Sequence, residues 1–370
     1  MTPFPLTYAA ARARFRAAAH AAGARTGAVE LPGRRGAEGE ALSIDWATVE
    51  PRGPRSGDGT LVLICGTHGP EGPAGSAILC GILDAVAARP RGFPRLLVVH
   101  GLNPWGFSWV SRADEANIDL NRNMIPEGQP RPRNSAYDRI VPVFEVADWQ
   151  EDTADILLAA LDAHAAQHGA RAVTNALLSG QYHAADGLNY GGDAPAWATQ
   201  ELVALLLRET HPGERVQVLD LHTGVAGRGA LALLAFQVAT PPDPAQAALL
   251  RCMARRPGNA IGAEGLADHS GLIVTGIGAA LPDRRVSGTV VELGTAPRRQ
   301  IRAALLLDLW LRRHAPPSPL HELRCDAAAA VLLRRGLLTV FSPLDDPEWR
   351  DVLVAQTRGM ADAIMAWPRA

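Results

Sequence analysis

The chain has 370 residues, with 36 Lys+Arg against 38 Asp+Glu, and every one of those 36 is an arginine. A chain without lysine offers no Schiff-base amine, no pyridoxal-phosphate anchor, no P-loop lysine and no lysine general base. Acid–base chemistry therefore falls to the 11 histidines, the carboxylates, the 4 cysteines, the tyrosines or a metal, and a formal net charge of -2 gives no bulk attraction for nucleic acid or a membrane surface.

In chain order, Tyr8, Ala11, Phe15 and Ala18 share one face of a helix expected from Tyr8 to Ala22, which Gly23 stops. Leu61 to Cys65 is a short continuous apolar run, the pattern of a strand covered on both faces. Gly66 to Gly72 is too rich in Gly and Pro for an element interior, and a helix is expected over Ala74 to Ala88. Leu96 to Val99 reads as the next strand, ending at His100, followed by a long irregular stretch to Asp152. Helices follow at Asp155 to His168 and Trp197 to Thr210, and strands at Val173 to Leu178, Val216 to Leu221, Leu231 to Val238 and Thr289 to Leu293. Helices at Ile301 to Arg313 and Trp349 to Trp367 close the chain, with Arg52 to Gly59 and Glu127 to Asn134 as loops. This alternation predicts an α/β fold, a mixed, mostly parallel twisted sheet flanked by helices. The proline-rich stretch from Ala315 to Pro319 divides a domain over 1–315 from a C-terminal helical extension over 316–370 packed on it. No secretory-type apolar run opens the chain and no 18-residue apolar stretch is evident, so a cytoplasmic protein without a membrane span is expected. Cys65, Cys80, Cys252 and Cys325 lack C-x-x-C spacing, and Cys65 and Cys80 read as buried small hydrophobes.

The chemistry concentrates near strand ends, where open α/β sheets bind ligands. His68 and Glu71 lie three apart in a turn just after a buried strand, able to converge on one cation through nitrogen and oxygen. Catalytic zinc takes three protein ligands and one open position, and His222, at the end of another apolar strand, is the best third ligand. Strand alternation places Asp220 on the same face as His222, where it can orient the site. An isolated H-x-x-E is ordinarily a hydrogen-bonded loop histidine; two such histidines with a further strand carboxylate change the balance. Glu292 is that carboxylate, costly in a strand core unless paired with an arginine or used as a general base. From Asn103 to Asn123 runs a long aromatic and polar loop, in which Arg112 can stabilise an oxyanion and Asn121 with Arg122 can grip a carboxylate. Asn117, Asp119 and Asn123 read as structural loop residues.

In this order H-x-x-E, N-P-x-G-F, R-x-x-E-x-N-x-D-L-N-R-N, D-L-H-T-G and V-E-L-G-T occur, and together they resemble the zinc metallocarboxypeptidases related to carboxypeptidase A. Within that superfamily the chain is most similar to a bacterial branch of unknown function near the succinylglutamate desuccinylases and aspartoacylases, over roughly Glu30 to Ala315. The resemblance implies a zinc carboxypeptidase-like fold, Zn2+ held by His68, Glu71 and His222, Glu292 as general base and later proton donor, Arg112 as oxyanion stabiliser, and Asn121 with Arg122 as clamp on a terminal carboxylate. It implies a metallohydrolase acting on a small peptide; an N-acyl amino acid deacylase and a metal-free binding protein are the alternatives, and homo-oligomerisation stays open. The mobile tyrosine that carboxypeptidase A-like enzymes carry before the catalytic Glu is missing: that region holds Asp268, His269, Ser270 and Gly271. His269 can donate in its place or lie on the surface, the commoner position for histidine; Tyr182 and Tyr190 are alternative pocket residues or parts of a turn.

Overall fold

The structure, a computed structural model, describes residues 4–51, 59–89, 92–236, 243–262, 266–314 and 327–367. The expected break at Ala315 to Pro319, Cys325, and nearly all of the loop expected from Arg52 to Gly59 lie outside them. Eight strands form one sheet: β1 (Arg25–Arg35), β2 (Ala41–Val49), β3 (Thr60–Cys65), β4 (Arg95–His100), β5 (Arg215–Gly224), β6 (Leu231–Phe236), β7 (Ala260–Ile261) and β8 (Arg285–Gly294). The helices are α1 (Tyr8–Ala21), α2 (Gly72–Ala88), α3 (Pro104–Trp109), α4 (Leu120–Asn123), α5 (Ser135–Ile140), α6 (Thr153–His168), α7 (Ala170–Leu178), α8 (Trp197–Glu209), α9 (Pro244–Met253), α10 (Ile273–Ala280), α11 (Arg298–His314), α12 (Ala327–Phe341) and α13 (Pro347–Met365). The strand order is β1-β2-β4-β3-β5-β8-β6-β7. The central four, β4, β3, β5 and β8, run parallel; β1, β2 and β6 add antiparallel edges, so the fold is the mixed α/β sheet expected.

Alternation along the parallel strands sorts the core into two layers. Leu63, Leu219, Leu221, Val291 and Leu293 point to α1, α2, α9 and α13, whereas Val62, Ile64, Val218 and Val290 point to α8 and α10. Burying each such side chain contributes roughly 1.5–3 kcal/mol. A third cluster, around Tyr137, Leu161, Leu177, Leu309 and Leu337, joins α5, α6, α7, α11 and α12. Because Leu178, Leu305 and Phe341 of α7, α11 and α12 line the same cavity as His222 and Glu292, these helices wall the carboxyl ends of β5 and β8.

Several elements differ from the expectations, and the stretch expected to be irregular up to Asp152 holds α3, α4 and α5. Val173 to Leu178 is not a strand but the body of α7. Its buried residues, Val173, Ala176 and Leu177, follow helical spacing, and packing on α5 and α6 favours that period over the β propensity of Val and Thr. β1 and β2 carry too many polar residues to read as strands. Leu31 is the only buried residue of edge strand β1, and the polar residues of β2 are satisfied from α1: the Tyr8 hydroxyl donates to the Ser43 carbonyl at 2.7 Å, and Arg12 Nε donates to Asp45 at 2.5 Å. Finally, Gly69–Ala88 is long and apolar enough by composition to cross a membrane, contrary to the expectation of no such stretch, but most of it is buried inside the protein.

Candidate metal centre

β3 delivers the chain into Gly66, whose φ of +72° lies in the left-handed region that favours glycine. Three residues later a Cβ on Gly69 would stand 1.9 Å from the Gly106 carbonyl oxygen, so only glycine allows this loop to press against α3. The result holds His68 and Glu71 beside β5. His68 Nδ1 lies 2.9 Å from Glu71 Oε1, His222 Nδ1 lies 3.1 Å from Glu71 Oε2, and the two Nδ1 atoms are 3.2 Å apart. All three side chains are buried.

Carboxylates orient both rings. His68 Nε2 faces Asp119 Oδ1 at 3.0 Å and His222 Nε2 faces Asp220 Oδ2 at 2.7 Å. An ionised carboxylate only accepts, so each imidazole donates outward from Nε2, which directs its Nδ1 toward the other ring and toward Glu71. Thr67 Oγ1 donates to Asp220 Oδ1 at 2.8 Å, which keeps that second carboxylate in place. Burial penalises the carboxylate of Glu71, yet the two imidazoles outweigh it and hold Glu71 below the usual carboxylate range. Asp119 resists burial in the same way, held well down by Arg112 and His68. For His222, burial opposes the charged form, but Asp220 and Glu71 raise it well above the ordinary imidazole value.

Two nitrogens and one carboxylate form a ligand set suited to a divalent cation such as zinc. Ligands of a tetrahedral site with bonds of about 2.0–2.1 Å stand roughly 3.3 Å apart, so the observed spacings need to open by only a few tenths of an ångström. This is the test on which His68, Glu71 and His222 fit a metal.

Glu292 is the register partner of His222 across the parallel β5–β8 pair, so alternation aims both at the same side of the sheet. Unlike its strand neighbours it reaches the cavity partly uncovered, and its Oε2 accepts the Val225 N–H at 3.3 Å. Burial, reinforced by Glu71 and opposed by His222, raises its pKa. Arg112 Nη1 stands 3.1 Å from His68 Nδ1 and 3.5 Å from Glu71 Oε1, and Nη2 donates to Asp119 at 3.3 Å.

Asn121 and Arg122 also line the cavity, but their bonding differs from a free clamp. Arg122 Nε and Nη2 donate to the Leu178 carbonyl at 3.1 and 2.7 Å, Nη1 donates to the Asn121 carbonyl at 2.6 Å, and Asn121 Oδ1 accepts the Ile273 N–H at 3.0 Å. Three of the five guanidinium N–H groups are therefore spent on the protein, and two remain.

Four placements correct or extend the sequence reading. Asp119 orients His68 rather than serving only its loop; the signal was its place inside the densest polar cluster. His269 lines the cavity instead of the surface, and burial, with Arg122 beside it, lowers its pKa to about 3, so it is a neutral imidazole there. Tyr182 sits behind the site, its hydroxyl donating to the Arg122 carbonyl at 2.8 Å, while Tyr190 bridges to Gln181; neither lines the cavity. Asn189 and Asp308, which no motif marked, hold Arg112. Asn117 and Asn123 bond loop carbonyls, as expected of structural residues.

The cavity offers about 140 Å³ to water-sized groups, room for on the order of ten waters or a short side chain. One wall is polar, with Glu292 and the arginines; the other is apolar, built by Leu178, Leu234, Phe236, Leu272, Leu305 and Phe341.

Solved structures similar to the chain include a metallopeptidase candidate from Shewanella amazonensis SB2B (16% identity, 83% of this chain and 93% of that one, TM-score 0.37). The succinylglutamate desuccinylase of Chromobacterium violaceum (16%, 89% and 74%, 0.33) and a metallo-carboxypeptidase from Burkholderia cenocepacia (13%, 89% and 66%, 0.39) are similar as well. Comparison with curated proteins finds no match. A family model described as Protein of unknown function (DUF2817) matches residues 4–356, nearly the whole sequence, and the chain belongs to that family.

Proposed function

We propose that this protein is a metal-dependent hydrolase that cleaves an amide or peptide bond next to a carboxylate-bearing residue, with zinc as its metal. The observation that carries the reading is the convergence of two Nδ1 atoms and the Glu71 carboxylate, with Glu292 on the adjoining strand in register with His222. A divalent cation held by His68, Glu71 and His222 would supply Lewis acidity toward a carbonyl oxygen and make water more acidic.

The protein's own groups would do the rest. Glu292, whose raised pKa makes it a better base than an ordinary carboxylate, takes a proton from the attacking water and returns it to the leaving nitrogen. Arg112 donates to the oxygen on which negative charge develops. The two unspent N–H groups of Arg122 hold the substrate carboxylate, in the same cavity as Asn121. An N-acyl amino acid presents the same bond and the same carboxylate as a short peptide, so deacylation uses these roles unchanged.

The test is to incubate zinc-loaded protein with a mixed panel of short peptides and N-acyl amino acids and to identify by mass which bond is cut. No cleavage across the panel, or cleavage that survives complete removal of the metal, would overturn the proposal; purified protein that takes up no zinc would instead support a metal-free binding role.

A further inference from the structure

Arg112 is seated from several directions. Its backbone N–H donates to Asp308 Oδ1 at 3.0 Å, and Asp308 is itself paired with Arg312 at 2.9 Å, so the main chain is pinned to α11. Of the guanidinium, Nη2 is tied to Asp119 at 3.3 Å and Nε donates to Asn189 Oδ1 at 3.1 Å. Asn189 is buried, and its Nδ2 donates to the Leu177 carbonyl at 2.8 Å, which fixes the amide with its oxygen toward the arginine. Its backbone is also unusual: a φ of +49° makes it one of three non-glycine residues in the left-handed region among the described residues. Such a conformation is unfavourable for an L-residue, least so for Asn, and it is retained here at a residue whose side chain touches Arg112.

We propose that Asn189 is a positioning residue that sets the plane of the Arg112 guanidinium. The inference rests on the reading of Arg112 as the group that stabilises the developing oxyanion. A guanidinium is planar, so holding Nε on Asn189 and Nη2 on Asp119 fixes two of its edges and leaves Nη1 directed at the ligand cluster. The partners of Nη1, His68 Nδ1 and Glu71 Oε1, are the atoms assigned to a metal, so Nη1 is the nitrogen left to meet a substrate oxygen. With those Nη1 partners engaged by a metal, a chain lacking the Asn189 amide would hold the guanidinium at Nη2 alone, free to swing about that contact.

Two substitutions separate backbone from side chain. Asn189→Gly keeps the left-handed backbone without strain and removes the amide; Asn189→Asp keeps an oxygen acceptor for Arg112 Nε. On the intact, zinc-loaded chain, Asn189→Gly is expected to lower kcat about tenfold or more with KM within about twofold, because a misaimed oxyanion donor acts on the transition state. Asn189→Asp should restore most of kcat. A second readout needs no turnover: in protein labelled with 15N-arginine, the Arg112 Nε–H signal, identified by its loss in Arg112→Lys, should exchange slowly in the parent and in Asn189→Asp and fast in Asn189→Gly. Unchanged exchange in Asn189→Gly overturns the proposal, as does a loss in that variant confined to KM or thermal stability that Asn189→Asp fails to restore. If the parent cleaves nothing on the panel, the hydrolase reading falls, while the exchange measurement still decides whether Asn189 seats Arg112.

Discussion

His100 and His222 stand on the two strands that flank β3, both buried, and their surroundings send them in opposite directions. His100 turns toward the α1 and α2 layer, where its ring stacks on Phe15 at 4.6 Å and its Nε2 meets only the Ser76 hydroxyl at 2.9 Å. Burial lowers its pKa to about 3, and its Nδ1 has no hydrogen-bond partner among the described residues. His222 turns to the other face, between Asp220 and Glu71, and is raised. Burial alone makes an imidazole neutral and inert, whereas a carboxylate on the far nitrogen polarises it and aims the near one. The difference between a core histidine and a candidate ligand therefore lies in two carboxylates rather than in depth.

The largest effect that would break this contrast is loss of the metal. A chelator, or His222→Ala, should abolish turnover, with elemental analysis showing the zinc gone, while His100→Phe should leave zinc content unchanged. Next, Glu292→Gln should keep zinc and lose on the order of 10²–10⁴ in kcat; near-normal turnover would remove Glu292 from the base role. Smaller again, Asp220→Asn and Asp119→Asn should each weaken zinc binding about 10–100-fold in a competition titration, because they orient the ligands without being ligands. Equal affinity in parent and variants would mean that the carboxylates do not distinguish His222 from His100.

The last effect is on stability rather than on the site. His100 has a folded pKa below its unfolded value of about 6.5, so between pH 6.5 and 3 the unfolded chain binds the proton first and stability falls with acidification. By pH 4 this one group should cost about 3 kcal/mol. Denaturant midpoints at pH 7 and pH 4 should therefore differ less in His100→Phe than in the parent, and an identical shift in both would show that His100 does not titrate in this way.

Much of the fold was legible because covered parallel strands are continuous apolar runs: β3, β4, β5 and β8 stand within about two residues of their expected core segments at most ends, although β5 continues to Gly224 and β8 begins at Arg285. The edges were not legible. β2 owes its buried Ser43 and Asp45 to side chains of α1 more than thirty residues away, and no local pattern announces that. α7 was misread because Val and Thr favour strands locally while its apolar spacing becomes decisive only against α5 and α6. At the site, His68, Glu71, His222, Glu292 and Arg112 stand together in the structure as the motifs led one to expect, whereas the bonding of Arg122 and the roles of Asp119 and Asn189 depend on partners from distant segments.

The absence of lysine is a property of the sequence alone, and it restricts any acid–base chemistry to imidazole, carboxylate, thiol, phenol or metal in whatever fold results. The parallel core is likewise written locally, since a strand buried on both faces must be apolar throughout. Which histidine becomes a ligand and which stays an inert core ring, and which arginine keeps its donors free, was decided only by tertiary structure. Those properties are set by the charges and carbonyls within about 3 Å of each group, and those neighbours come from strands and helices that only folding brings together.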